Sequence, residues 1–101
     1  MRIYEFMAEN ARRIIESIAS EKFSSRDFIW KLMSDYEKDY IGMLNEQTCE
    51  RPIHEVHKQI GRYLSDNAVR LEIQASGTKE GSIDPFGKIS ATEIWLKNTK
   101  K

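Results

Sequence analysis

Ile3, Phe6, Met7, Ala11, Ile14, Ile15, Ile18 and Ala19 recur at spacings of three and four. That period places them on one stripe of a helix. Glu9, Arg12, Arg13 and Glu16 fall largely on the other side, so the pattern predicts a first helix over Ile3 to Ser20. Ser24-Ser25-Arg26-Asp27 then carries a helix-start signal, a Ser followed three residues later by an acid just before an apolar run. The Ser24 hydroxyl can accept from a backbone N–H of the first turn, and the Asp27 carboxylate suits the positive end of the helix dipole. Phe23 stands where a hydrophobic staple would pack back onto that turn. Phe28, Ile29, Leu32, Met33, Tyr36, Tyr40, Met43 and Leu44 keep the helical period to about Gln47, predicting one long second helix with an acidic outer face. Pro52 fits the first turn of a new helix. Ile53, Val56, Ile60, Tyr63 and Leu64 form its apolar stripe, with His54, Glu55, Lys58, Gln59, Arg62 and Ser65 turned away, so a third helix is predicted over Pro52 to Ser65.

The period then changes. Val69, Leu71, Ile73 and Ala75 alternate with Arg70, Glu72 and Gln74, the signature of a half-buried strand. Ser76 to Gly87 holds Gly77, Gly81, Asp84, Pro85 and Gly87 and reads as a loop. Ile89 to Lys97 reads as a returning strand, with Thr92, Ile94 and Leu96 on one face and Ile89, Ala91 and Trp95 on the other. Apolar residues on both faces call for either a bulge or cover on both sides. The expected fold class is α+β: three helices followed by a two-stranded antiparallel hairpin, in one domain over residues 1–101.

Composition narrows the function classes. The 101 residues carry 16 Lys plus Arg and 16 Asp plus Glu, a formal net charge of +0, so only local patches can argue for a polyanionic partner. Arg51, Lys58 and Arg62 outnumber Glu50 and Glu55 around the third helix, and Lys88, Lys97, Lys100 and Lys101 outnumber Glu93 at the end. The one cysteine, Cys49, excludes an internal disulfide. The first ten residues lack the order of a signal peptide, and no apolar run approaches a membrane span. A soluble, cytoplasmic protein without membrane association is the expectation.

Candidate chemistry is sparse. His54 and His57 with Cys49 are too few soft ligands for a zinc site, so no metal and no cofactor are expected. Asp35 and Asp39, four apart on the second helix, read as a solvated acidic face rather than an acid–base pair. No serine stands in a Gly-x-Ser-x-Gly context, and the glycines at 77, 81 and 87 lack the Lys-Ser/Thr of a phosphate-binding loop. The chain is not expected to be an enzyme. Tyr36, Tyr40 and Tyr63 read as core or core-edge residues. Trp95 is expected to pack on the first helix, with an open hairpin face and a partner contact as the other reading.

The order of elements, with "IHEVHKQIGRYLSDNAVRLEI" running from the third helix into a strand and "GKISATEIWLK" returning, resembles the winged helix-turn-helix family. The resemblance covers about Ile3 to Lys97, with a second helix longer than that family usually needs. It implies a small DNA-binding transcriptional regulator whose third helix enters the major groove of double-stranded DNA while the hairpin, or wing, touches the backbone or minor groove. Carried over by position, His54, Lys58, Gln59, Arg62 and Ser65 would face the duplex, and Lys79 and Lys88, flanking the wing loop, would reach phosphate. Arg can bond a guanine edge bidentately and Gln an adenine edge, while Lys and Ser suit phosphates. Many such proteins are two-fold dimers, and the first or second helix could supply that interface. The alternative is a winged helix used as a protein–protein interaction module without DNA binding.

Overall fold

The computed structural model describes residues 2–83 and 89–98. It is α+β, with five helices and a three-stranded antiparallel sheet among those residues. Helix α1 (Arg2–Ser17) buries Ile3, Met7, Ala11, Ile14 and Ile15, the stripe its period predicts, against the helices that follow. It stops three residues short of the expected Ser20. The Ser17 hydroxyl donates back to the Ile14 carbonyl at 2.6 Å, and Ile18 N–H tightens onto Ile15 at 3.1 Å. The Ile18 carbonyl is then taken by the Lys97 ammonium rather than by another helical turn.

A strand absent from the sequence reading comes next. Strand β1 (Lys22–Ser24) lies antiparallel to the last strand of the chain, with Phe23 opposite Trp95. It runs directly into α2 (Ser25–Asp35) through the expected cap. Ser24 Oγ accepts from Asp27 N–H at 2.9 Å while Ser24 N–H donates to Asp27 Oδ2 at 3.0 Å, a complete capping box. Phe23 before the cap and Phe28 in the first turn are both in the core.

The long second helix of the sequence reading is two helices. Tyr36 leaves helical geometry (φ −132°, ψ 49°) between α2 and α3 (Glu37–Asn45). Both backbone groups of Tyr36 stay bonded at the break: its N–H donates to the Leu32 carbonyl at 2.8 Å and its carbonyl accepts from Tyr40 at 2.9 Å. The bend sets the Tyr36 ring edge-on to Phe6 of α1, with centroids 5.3 Å apart. It also puts Asp35 and Asp39 on different helices, leaving Asp35 paired with Lys31 at 3.6 Å and Asp39 in the first turn of α3.

Helix α4 (Pro52–Asp66) starts at proline as expected and buries Val56, Ile60, Tyr63 and Leu64. Asn67 ends it by donating both its backbone and its side-chain N–H to the Tyr63 carbonyl. The residues expected to begin a strand at Val69 instead form α5 (Ala68–Leu71), a single turn that buries Leu71 and leaves Val69 90% exposed. Glu72 then takes the left-handed conformation (φ 62°) and turns the chain into the sheet, with its carboxylate on Arg12 at 3.1 Å.

Strand β2 (Ile73–Ile83) pairs with β3 (Ile89–Lys97), and the sheet order is β1-β3-β2. Most of the expected loop is strand. Gly77 (φ 85°) marks a bulge on β2 between Ala75, opposite Trp95, and Lys79, opposite Glu93. Only glycine adopts that φ without steric cost, so at Gly77 the glycine serves a bulge within a strand rather than a loop. Ile94 and Trp95 are both buried, so the return strand is covered on both faces at this point. Trp95 is 4% exposed, which removes it as an open partner contact, and its indole N–H donates to Ser25 Oγ of α2 at 2.8 Å. Among the described residues no helix is long and apolar enough to cross a membrane.

Candidate nucleic-acid interface

Helix α4 carries five of the seven residues singled out by the sequence. Its inward stripe is fixed in the core, and Tyr63 meets Tyr4 of α1 edge-on with ring centroids 5.2 Å apart. The burial of that stripe fixes which residues face solvent. His54, Lys58, Arg62 and Ser65, spaced by four, four and three, are all exposed. They therefore form one outward face.

Gln59 does not belong to that face. It is half-buried at the edge of the core stripe, where its Nε2 donates to Glu55 Oε2 at 2.8 Å. Its Oε1 is buried with no hydrogen-bond partner. The amide that was expected to read an adenine edge is engaged with Glu55 in the free protein. Glu55, which the sequence reading left out of the site, stands between Gln59 and the cations. Its Oε1 is 3.6 Å from Lys58 Nζ. The Gln59 hydrogen bond, and then the charges of Lys58 and Arg62, hold its carboxyl below the usual range. The i, i+3 and i, i+4 spacings of Lys58 and Gln59 from Glu55 were the available signal.

The two histidines point apart. His54 is exposed, whereas His57 turns toward α3, where Tyr40 Oη and His57 Nε2 share a hydrogen bond of 2.8 Å. Burial, followed by the positive charges of Arg26 and His54, pushes the His57 pKa down to about 4. Burial also raises the Tyr40 pKa. His57 is therefore neutral near pH 7 and joins α3 to α4. Cys49 is exposed, and among the described residues no group of three His, Cys, Asp or Glu could hold a metal.

A shallow groove lined by Cys49, Glu50, Arg51, His54, Glu55 and Lys58 opens at the N-terminal end of α4. Arg51, the residue before Pro52, adds a second cation there beside Lys58. Lys79 is not at a loop tip. It lies within β2 just past the bulge, at the register position opposite Glu93. Lys88 lies outside the described residues. The third strand, β1, reaches only Ile94 to Leu96 of β3, so beyond the bulge the hairpin pairs only with itself.

No protein-family model matches the chain, and neither do curated proteins or solved structures.

Proposed function

We propose that this chain is a winged helix-turn-helix DNA-binding domain of a small transcriptional regulator, and that the outward face of α4 lies against a DNA duplex. The observation that carries this reading is the stripe of His54, Lys58, Arg62 and Ser65 on a helix whose opposite stripe is locked in the core. After the single turn of α5 the chain enters a hairpin that extends past the reach of β1. A single helix fits the major groove, where Arg62 can take a guanine edge and Lys58 a phosphate or a guanine. The short β1 between the first two helices and the strand order β1-β3-β2 are consistent with the wing arrangement. Neutral overall charge means the affinity comes from this face and not from the protein's net field.

The test is fluorescence anisotropy of labelled duplex DNA at low and at moderate salt, with the Lys58→Ala/Arg62→Ala double variant beside the parent. Binding that weakens steeply with salt, and that the double variant loses together with about two units of the log–log salt slope, supports the reading. Absence of binding at low salt, where phosphate contacts are strongest, removes it.

One observation favours the second reading, a protein-interaction module. Trp30 of α2 is 39% exposed and lines an open groove with Ile18 and Ala19. In that reading the chain binds no duplex at low salt, and Trp30→Ala abolishes a protein contact instead.

A further inference from the structure

We propose that Glu55 acts as an internal stand-in for phosphate on α4, occupying Lys58 in the free protein so that a duplex gains this cation only by displacing it. This rests on the reading of α4 as the duplex-facing helix, and it assigns Glu55 the task of suppressing sequence-independent binding.

The geometry is built to keep the carboxylate in place. Glu55 Oε2 accepts from Gln59 Nε2 at 2.8 Å, and Oε1 is left 3.6 Å from Lys58 Nζ. The other amide atom of Gln59, its Oε1, is buried and unpartnered. Turning the amide over would aim an oxygen at the carboxylate, so the orientation that leaves the orphan is also the one that holds Glu55. An unsatisfied buried oxygen is unfavourable, and a helix surface with no use for a fixed carboxylate would not be expected to retain one. Glu55 also sits in the first turn of α4, where the helix dipole favours an anion. That is the place a DNA phosphate would otherwise occupy. Arg62, one turn beyond Lys58, adds positive charge from the C-terminal side and lowers the carboxyl's proton affinity with it. Lys58, and the field of Arg62 behind it, are thus already turned to a carboxylate in the free protein.

The test uses Glu55→Gln, which keeps the side chain's shape and removes its charge. Binding of a random-sequence duplex is followed by anisotropy over a range of salt, with a thermal melt to confirm that each variant is folded. Expected is roughly three- to tenfold tighter binding than the parent at low salt, with a log–log salt slope steeper by about 0.9, the counterions of one more phosphate. The gain should vanish when Lys58→Ala is added, because Lys58 is the cation released. Glu55→Ala, which also frees Gln59, should show the same gain. Equal affinity and slope in parent and Glu55→Gln, with the parent binding DNA, overturns this proposal and leaves the function standing. Weaker binding by Glu55→Gln overturns it too, and makes Glu55 a base-reading residue. Failure of both proteins to bind at low salt overturns the function and this proposal together. Binding by Glu55→Gln alone supports both.

Discussion

The two faces of α4 share fifteen residues of backbone and differ in nearly everything else. On the inward face Val56, Ile60 and Leu64 are fully covered, and even the polar member of the boundary, His57, has a fixed partner in Tyr40. On the outward face His54, Lys58, Arg62 and Ser65 stand in solvent, and the Lys58–Glu55 ion pair there is a partly exposed contact of 3.6 Å. Such a pair is worth little to the fold, between zero and about 1 kcal/mol. Stability therefore resides on one side of the helix, and the other is free to be chosen for what it touches. The largest break in that contrast should come from Ile60→Ala. Removing a fully buried isoleucine from the centre of the core should cost about 2–5 kcal/mol in a denaturant melt. Arg62→Ala, two residues on, should change the same melt by less than about 0.5 kcal/mol. Comparable losses at the two positions would mean that the outward face is structural.

The boundary between the faces titrates. The His57 pKa is about 4 in the folded chain against 6.5 when unperturbed. As pH falls below about 6.5 the unfolded chain takes up the proton first, so stability declines from there and levels off below about 4. A shift of this size corresponds to about 3 kcal/mol, and water reaching the half-buried ring screens it to about 1–2 kcal/mol. Stability measured between pH 7 and 5, above the range where most carboxylates titrate, isolates the effect. His57→Phe should flatten the curve in that window, and an unchanged slope would place the acid sensitivity elsewhere.

The sequence carried the inward faces well, because helical periodicity and cap chemistry are local. The stripe of Ile3, Met7, Ala11 and Ile14, the Ser24–Asp27 box and Pro52 at the start of α4 all read directly. Three features depended on partners far along the chain and did not. Strand β1 is three residues long, too short for an alternating pattern, and exists because β3 pairs with it about seventy residues later. The bend at Tyr36 has neither proline nor glycine, Tyr36 keeps a helical hydrogen bond at both its N–H and its carbonyl, and Leu32, Tyr36, Tyr40 and Met43 continue in phase through it. The single turn α5 was hidden because Leu71 and Ile73 are buried at strand spacing whether or not Val69 joins them. On the candidate interface the residue types and face were legible. The contact of Gln59 with Glu55 was not, because i, i+4 spacing shows which side chains can meet but not which way an amide turns.

The smallest effect should come from Gly61, which separates the two faces. It lies well inside α4, and a Cβ built there meets nothing within 4 Å. A glycine in a helix interior is less favourable than alanine by about 0.5–1 kcal/mol, so with open space around it Gly61→Ala should stabilise the fold by that amount in a thermal melt. A loss of stability would mean that the helix needs a local freedom its geometry does not display. The same variant tests the outward face from the opposite direction. Gly61 leaves bare backbone between Lys58 and Ser65, where a duplex backbone can approach more closely than any side chain would allow. If α4 seats against DNA there, Gly61→Ala should melt higher and yet bind the duplex more weakly. A gain in stability with unchanged binding would place the contact nearer Lys58 and His54, at the N-terminal end of the helix.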